Sequence, residues 1–318
     1  MEDKLVSVVL VTRNRKEIVL KCLDSLYKME YPNTEAIVVD NASEDGSAKA
    51  IEKKFPLAKV VRSSENLGLA GGRNLGQAYA RGDYILYLDS DTILDKRMIG
   101  ELVRVLETHP EAGIAVPKMY YYSDPEYIWF AGSTISLLSS RTINRGVNEK
   151  DIGQYEEVCE AAHGPTAFLV TRAAVEKVKG HDEIYYMTYA DADFAFRVKK
   201  AGLKILYTPK AMLWHRLSMK ENVETSRALG YNLPMRAFYF ARNRAIFMKR
   251  NASRLDFLIF MLVFFPLFTL FITYKIIRFS GFSDFLRLHL AGSLEGFLFA
   301  ITPDNNIVPL ISAPKVKQ

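Results

Sequence analysis

Short apolar runs alternate with amphipathic stretches through the first half of the sequence. "VSVVLVT" (6–12), "EAIVVD" (35–40) and "YILYLD" (84–89) have the length of buried strands, and "KEIVLKCLDSLYKM" (16–29) has apolar residues at helical spacing. Strands and helices that take turns in this way predict βαβ units and a mainly parallel sheet. Ligands of such sheets bind beyond the carboxyl ends of the strands, so the residues after each strand are the first candidates for a site.

An uncharged segment near the C-terminal end is the second constraint. "FLIFMLVFFPLFTLFITY" (257–274) carries no charge, and a helix of that length is about 27 Å long, near the roughly 30 Å thickness of a bilayer core. Basic residues precede it and, by the positive-inside tendency, predict that the preceding region is cytoplasmic. We therefore expect attachment to the cytoplasmic side of the cell membrane. Pro266 would kink a helix, which leaves spanning, re-entrant and in-plane segments open, and a buried core helix is the competing interpretation.

Charge and cysteine content exclude some classes of protein. A net charge of +6 over 318 residues does not indicate a general nucleic-acid surface. Cys22 and Cys159 are too few for a disulfide framework and lie in no metal-spaced cluster, so we expect a reducing cytosol. The apolar run at 5–11 is too short and too close to the start for a secretory signal, so no export signal is expected.

Two carboxylates directly follow one predicted strand. Asp89 and Asp91 come after "YILYL" (84–88), and residues i and i+2 of an extended chain point to the same side. Mg²⁺ and Mn²⁺ prefer oxygen ligands, and Mg²⁺ is commonly held by one or two carboxylates together with substrate phosphates. The sequence therefore predicts a metal site here, although Asp91 or Asp95 could instead cap the next helix.

Polar residues follow two further strands. Asp40 ends its strand, where the carboxylate could accept a hydrogen bond from a nucleobase or ribose, or could form an Asx-type turn with the residues after it. "ENLGLAGGRNLG" (65–76) has glycines that let backbone approach a ligand, and its Arg73 could meet a diphosphate bidentately. The segment is neither a P-loop nor a dinucleotide-binding fingerprint, which disfavours ATP and nicotinamide cofactors.

These motifs, in this order, resemble the GT-A glycosyltransferases of family 2, especially the rhamnosyltransferase-like, membrane-associated members. The motifs are "VVDNASEDGS", "ENLGLAGGRN", "LDSD", "ADADFAFRVKKAG" and "WH", all within residues 5–218. The resemblance implies an α/β GT-A fold, with a Rossmann-like, mainly parallel sheet flanked by helices. It also implies Mg²⁺ or Mn²⁺ and the inverting transfer of a sugar from a nucleotide diphosphate sugar to a membrane-linked or cell-surface glycan.

The resemblance also assigns roles to individual residues. It implies nucleotide-sugar binding by Thr12, Asn14, Asp40, Asn66, Gly68, Arg73 and Asp89, metal binding by Asp91, Asp89 and His215, and an acceptor side at His163 and Gly164. Asp40 would contact the base and Arg73 would lie near the diphosphate. Asp91 would be the main metal ligand.

The catalytic base of the family lies in a Glu-Asp pair that opens a late helix. The matching segment is "MTYADADFAFRV" (187–198), with Asp191 at the position of the base and Ala190 in place of the Glu. Asp193 is a second acid, but residues two apart on a helix point about 200° from each other, so both cannot face one acceptor hydroxyl. We predict that Asp191 is the base and Asp193 is structural; a helix cap is the competing role for Asp191.

The predicted organisation follows from these features. We expect a catalytic domain at 1–218 with a nucleotide-sugar half at 1–112 and an acceptor half at 113–218, a basic helical connection at 219–254, hydrophobic membrane-associated helices at 255–301 and a loose tail at 302–318. Two other functions stay open. The chain could load a sugar directly onto polyprenyl phosphate, or it could be a non-catalytic membrane protein that binds nucleotide sugars.

Overall fold

The computed structural model describes residues 3–217, 234–280 and 284–302, and the chain divides into two compact units. The larger unit is built from the N-terminal two-thirds of the chain. The smaller unit is built from the C-terminal third together with the short segments 135–142 and 187–189. The first part of the expected basic connection and nearly all of the expected loose tail lie outside the described residues.

A ten-stranded sheet, six α-helices and a short 3₁₀ helix (Glu183–Tyr185) belong to the larger unit within the described ranges. The strands are β1 (Val6–Thr12), β2 (Thr34–Asn41), β3 (Lys59–Ser63), β4 (Tyr84–Asp89), β5 (Thr92–Leu94), β6 (Ala112–Tyr121), β7 (Ile128–Phe130), β8 (Ser133–Ser136), β9 (Arg141–Asn144), β10 (Cys159–Glu160), β11 (Ala167–Thr171) and β12 (Lys204–His215). The helices are α1 (Lys16–Leu26), α2 (Ser47–Lys54), α3 (Gly68–Gln77), α4 (Met98–Thr108), α5 (Arg172–Val178) and α6 (Ala190–Lys200). Strands β8 and β9 form a separate two-stranded sheet.

The order of the large sheet is β10-β12-β6-β11-β4-β1-β2-β3, with β5 on β12 and β7 on β6. Strands β1 to β4 pair in parallel, and so do β6 and β12, whereas β11 is antiparallel to both of its neighbours. The central strands are almost entirely buried, as expected of a sheet covered by helices. The predicted α/β class with a mainly parallel sheet and flanking helices is confirmed.

Helix α3 packs unusually close to β1 because glycines form its inner face. A Cβ atom at Gly72 would lie 2.7 Å from Cγ1 of Val11, and one at Gly76 would lie 2.5 Å from Cγ1 of Val9. Any side chain at these positions would push the helix off the sheet. From the sequence we expect the glycines of this segment to let backbone approach a ligand. Gly72 and Gly76 instead allow close contact between the helix and the strand.

Strand β12 is twelve residues long and contains an irregularity. The pairing of β12 with β6 shifts between Thr208 and Met212, and then continues in register to His215. Pro209 lies within this irregularity, where a residue without an N–H is tolerated in a strand. His215 therefore ends a strand of the main sheet.

His181 is a buried histidine in an aromatic cluster of the larger unit. Its ring stacks on Phe194 at 4.5 Å between centroids and meets the ring of Tyr87 edge-on at 4.7 Å. Neither ring nitrogen has a hydrogen-bond partner among the residues that the structure describes. Burial, and then the charges of Arg73 and Arg197, hold the pKa of His181 well below its usual value, so the folded protein keeps this ring neutral.

This burial predicts a stability difference that depends on pH. Below the usual histidine pKa of about 6.5, the unfolded chain takes up a proton at His181 that the folded chain does not, so wild-type stability falls as pH falls. His181→Phe removes this group, and its advantage over the wild type should grow by about 1.4 kcal/mol between pH 7.5 and pH 5.5. Urea unfolding at the two pH values measures the difference. An equal difference at both would show that His181 titrates normally in the folded state.

The described C-terminal part of the smaller unit is helical. It contains α7 (Pro234–Asn251), α8 (Arg254–Ile259), a π-helical turn (Phe260–Phe264), α9 (Phe265–Ser280) and α10 (Asp284–Ile301). Helices α7 and α10 approach closely, since a Cβ atom at Gly292 would lie 2.2 Å from the carbonyl oxygen of Phe238. An ion pair between Arg242 and Glu295, at 2.7 Å, is buried in the same interface.

The predicted apolar segment forms one long, nearly continuous helix. Pro266 lies two residues after the end of the π-helical turn. The wider turn accommodates a residue that lacks an N–H and crowds the carbonyl four residues earlier. Residues 254–278 are the one helical stretch of the described chain that is long and apolar enough to cross a membrane. Only 11% of its most apolar 18-residue segment is buried. This low burial does not fit the competing interpretation of a buried core helix.

Candidate active site

The ends of four strands bring most of the predicted site residues to one edge of the sheet. Strand β1 ends at Thr12, which is in register with Asp40 at the end of β2. The preceding residue, Val11, is in register with Asp89 at the end of β4. His215 ends β12, which pairs with β5 just beyond the acidic pair. The topology therefore gathers residues that are up to two hundred positions apart in the sequence.

Arg73 is almost completely buried beneath the edge of the sheet. Its side chain is 1% exposed; Nη2 donates to Oδ1 of Asp89 at 3.0 Å and Nη1 donates to Oδ1 of Asp191. The rings of Tyr87 and Phe168 lie within 6 Å of the guanidinium. Arg73 thus holds together the carboxylate that ends β4 and the predicted base. The predicted position of Arg73 near a diphosphate stays a prediction.

Asp91 has two basic neighbours. Its Oδ2 accepts a hydrogen bond from Nη1 of Arg15 at 2.7 Å, and its Oδ1 lies 3.2 Å from Nε2 of His215. Burial opposes ionisation, but the hydrogen bond and charge of His215 and the charge of Arg15 outweigh it and hold the pKa of Asp91 below its usual range. Burial raises the pKa of Asp89, with Arg73 opposing and the nearby carboxylates of Asp91 and Asp191 adding to the rise.

The surroundings of Asp91 fit a divalent cation that is partly held by substrate. A carboxylate oxygen, the kind of ligand that Mg²⁺ and Mn²⁺ prefer, lies there beside the imidazole of a histidine, the commonest metal-binding side chain. Among the described residues, no group of three or more acidic, histidine or cysteine side chains is arranged to hold a metal. Asp91 and His215 fit a site in which substrate phosphates supply further ligands. Oδ1 of Asp89 is turned toward Arg73.

Asn41, which the sequence interpretation missed, organises the segment before α3. Its buried Nδ2 donates to Oδ1 of Asn66 and to the carbonyl oxygen of Gly68, each at 3.0 Å, and its Oδ1 accepts from the N–H of Leu67 at 2.8 Å. Gly68 has φ +70°, and a Cβ atom there would lie 2.4 Å from the carbonyl oxygen of Tyr186. The sequence signal that could have identified Asn41 is an amide side chain directly after Asp40, at the end of a strand. Asn66 and Gly68 shape this segment, and their predicted contact with a nucleotide sugar stays a prediction.

The loops after β1 and β2 are tied together. The N–H of Asn14 donates to Oγ of Ser43 at 3.0 Å, and Oδ1 of Asn14 accepts from the N–H of Glu44 at 2.8 Å. Oδ1 of Asp40 accepts from the N–H of Ser43 at 3.1 Å, which is the Asx-type turn that the sequence left open. Oγ1 of Thr12 is buried and has no hydrogen-bond partner within the described ranges. These bonds order the edge at which a nucleotide is expected, but they do not test its binding.

The expected acceptor side is fixed to the end of β4. The carbonyl oxygen of Thr166 accepts from the N–H of Asp89 at 2.8 Å, and Thr166 has φ +65°, a strained conformation for a β-branched residue. His163 is buried, which lowers the pKa of its ring, and its carbonyl oxygen accepts from Oγ of Ser133 at 3.0 Å. A Cβ atom at Gly164 would lie 2.7 Å from Cγ1 of Val116. Gly164 is required for packing, and an acceptor contact by either residue stays a prediction.

Helix α6 separates its two acids as the helical geometry predicts. Asp193 is buried and accepts a hydrogen bond from Nε of Arg197 at 2.7 Å, one turn later. Asp191 lies in the first turn, with 18% of its side chain exposed and Oδ1 bonded to Arg73. Ala190, at the position where the family has Glu, is buried. Asp191 is thus the acid of this helix that reaches the edge of the sheet.

Comparison with known proteins gives consistent results. The sequence profile of "Glycosyl transferase family 2" matches residues 7–179, more than half of the chain. Amylovoran biosynthesis glycosyltransferase AmsB of Erwinia amylovora is 25% identical over 73% of this chain and 77% of its own length. UDP-Glc:alpha-D-GlcNAc-diphosphoundecaprenol beta-1,3-glucosyltransferase WfgD of Escherichia coli is 34% identical over 29% of this chain and 37% of its own. Several other curated relatives are matched over less than half of their own length.

Solved structures agree on the fold. The crystal structure of Staphylococcus aureus TarS 1-349 in complex with UDP-GlcNAc superposes with a TM-score of 0.60 and 19% identity, over 93% of this chain and 81% of that one. At this identity the likeness establishes the GT-A type of α/β fold and nothing more specific. On the strength of the match over residues 7–179, the chain belongs to glycosyl transferase family 2.

Proposed function

We propose that this protein is an inverting, metal-dependent glycosyltransferase that moves a sugar from a nucleotide diphosphate sugar to a lipid-linked or cell-surface glycan. The observation that carries the proposal is the meeting of Asp89, Asp91 and Asp191 at one edge of the sheet, with Arg73 bonded to two of them. Two acids at a strand end suit donor and metal binding, and an acid on a separate helix suits proton transfer.

The names of related proteins support a nucleotide-sugar donor. WfgD is named for UDP-Glc, and the TarS structure contains UDP-GlcNAc. The structures of GalNAc-T7 and of the mannosyltransferase PcManGT, which share the fold, were solved with Mn²⁺. Asp91 and His215 would hold the ion, which would offset negative charge on the departing diphosphate. Whether the sugar is hexosyl or rhamnosyl depends on side chains that face the donor, so both types of donor belong in the first screen.

The chemistry proposed for the chain is a single displacement. Oδ2 of Asp191 accepts the proton of the acceptor hydroxyl as the acceptor oxygen bonds to the anomeric carbon and the bond from that carbon to the diphosphate breaks. Arg73 donates to Oδ1 of Asp191 and thereby orients the carboxylate. The family usually has a Glu beside the base, and Ala190 stands at that position in this chain. Arg73 is the group that holds the carboxylate of Asp191 in place.

The proposed acceptor is carried by a membrane lipid. AmsB is named for amylovoran biosynthesis and WfgD for a diphosphoundecaprenol acceptor. The exposed apolar helix at 254–278 supports attachment to a membrane, and the basic residues before it favour the cytoplasmic side of the cell membrane. In this proposal residues 1–218 are the catalytic domain and residues 255–301 are the membrane-associated helices.

Donor binding provides the first experimental test. UDP-glucose, UDP-N-acetylglucosamine, GDP-mannose and dTDP-rhamnose are screened by thermal shift with and without Mn²⁺. A donor present at a hundred times its Kd should stabilise the protein by about 2.7 kcal/mol. If no nucleotide diphosphate sugar shifts the transition with Mn²⁺, the proposal is wrong.

Asp91→Ala should abolish the part of this shift that depends on Mn²⁺, because Asp91 is the carboxylate beside His215. Asp95→Ala is the matched control, since that acid accepts a hydrogen bond from the N–H of Arg97 at 2.9 Å before α4 and has no proposed role in binding. The control should keep the full shift. An unchanged response to Mn²⁺ in Asp91→Ala would remove Asp91 from the metal site.

A further inference from the structure

Among the described residues of the smaller unit, one buried cation has no carboxylate partner. Arg244 of α7 is 8% exposed, and its Nε donates to the hydroxyl of Tyr189 at 3.3 Å. No carboxylate pairs with Arg244 anywhere in the described part of the chain. Arg242, two residues earlier on the same helix, has Glu295 at 2.7 Å. The two arginines thus differ in the feature that decides whether a buried charge is compensated within the protein.

An unpaired buried guanidinium is costly and cannot lose its proton to reduce the cost. Aromatic rings compensate part of it, since the guanidinium carbon lies 3.9 Å from the ring centre of Phe268 and 4.8 Å from that of Phe240. Ring faces attract a cation but do not neutralise it. The arrangement therefore favours an anion supplied by a ligand.

A narrow cleft between three helices opens beside Arg244. It is lined by Phe240, Ala241, Arg244, Phe265, Phe268, Thr269, Ile272 and His289. Its interior, about 10 Å³, is the size of a single water molecule, so a larger anion would sit at the mouth after the ring of Phe268 turns aside. Nε2 of His289 lies 3.3 Å from the carbonyl oxygen of Thr269 and provides a second polar group in the lining.

The surface of α9 identifies the kind of ligand. Leu267, Leu270 and Phe271, on the helix that supplies four of the lining residues, are each at least half exposed. A soluble anion would leave this apolar surface exposed to water. An amphiphile has an anionic head group for the cleft and an apolar chain that covers the surface. We propose that the cleft at Arg244 binds the phosphate or diphosphate group of a membrane amphiphile, whose chain lies along α9. The inference rests on the proposed function, because it identifies the lipid part of the proposed acceptor.

Farnesyl diphosphate is a suitable probe, and its binding to the full-length protein in neutral detergent is measured by isothermal titration calorimetry. Arg244→Gln should weaken binding by about 10- to 100-fold, the loss of one or two charge-assisted hydrogen bonds. Arg254→Gln, the same change at an exposed residue of the same unit, should leave the affinity unchanged. Farnesol and inorganic pyrophosphate should each bind much more weakly than farnesyl diphosphate.

Phe268→Ala keeps the charge and opens the cleft, so it should bind the probe at least as tightly as the wild type. This variant tests the site if Arg244→Gln does not fold. Equal losses in Arg244→Gln and Arg254→Gln would overturn the site in favour of general surface charge. Pyrophosphate binding as tight as the probe would overturn the lipid assignment, and so would equal binding of farnesol. If the probe does not bind while nucleotide sugars still shift the melting transition, this inference fails and the proposed function stands.

Discussion

Asp191→Asn should lower the rate of sugar transfer by about 10²- to 10⁴-fold, the usual contribution of a general base. The amide has nearly the same shape and can still accept a hydrogen bond from Arg73, but it cannot take the proton of the acceptor hydroxyl. Donor binding should therefore be unchanged. Single-turnover transfer rates, together with thermal shifts by the nucleotide sugar, separate the two effects.

Asp193→Asn is the matched control for this prediction. Asp193 is buried against Arg197, so its loss should lower stability, while the folded fraction should transfer sugar at close to the wild-type rate. Transfer at the wild-type rate by Asp191→Asn would show that another group is the base. Parallel loss of donor binding in Asp191→Asn would show that Asp191 acts by shaping the donor site.

Arg73→Met should lower the free energy of unfolding by about 3–5 kcal/mol, the usual cost of removing one partner from a buried ion pair. Met has a similar length and no charge, so Asp89 and Asp191 would lose the cation that both of them contact. The loss should shrink at low pH, because burial raises the pKa of Asp89 and protonation of that carboxyl removes its repulsion of Asp191. Urea unfolding at pH 7.5 and pH 4.5 measures both effects.

Arg81→Met is the control for Arg73→Met. Arg81 also pairs with an acid, Glu35, but its side chain is 78% exposed, and pairs of this kind contribute about 0–1 kcal/mol. If both substitutions cost the same small amount, Arg73 would not be the buried link between the two carboxylates.

The parallel core of the fold is predictable because its strands are buried on both faces. Strands β1, β2 and β4 therefore appear in the sequence as short continuous apolar runs between amphipathic stretches. The antiparallel insertion of β11 between β4 and β6 is not predictable in this way, since pairing between distant segments leaves no local pattern. The full length of β12 cannot be predicted from the sequence, because Pro209 interrupts the apolar run and the pairing shifts there.

The site residues also differ in how well the sequence predicts them. Asp89 and Asp91 are readable because they end a strand, and the order of the motifs points to Asp191 and His215. The burial of Arg73 is not readable, because it depends on two carboxylates that the fold brings together from β4 and α6. Arg15 looks like an ordinary surface residue of the first loop until its bond to Asp91 is seen. Side chains whose partners are distant in the sequence are thus the ones that sequence patterns place least well.

The configuration of the product tests the central claim most directly. The full-length protein is incubated with Mn²⁺, the donor identified by thermal shift and a lipid-diphosphate-linked sugar, and the anomeric proton of the transferred sugar is examined by NMR. A single displacement assisted by Asp191 predicts a product whose anomeric configuration is opposite to that of the donor. A product that retains the donor configuration, or donor binding without any transfer, would contradict the account.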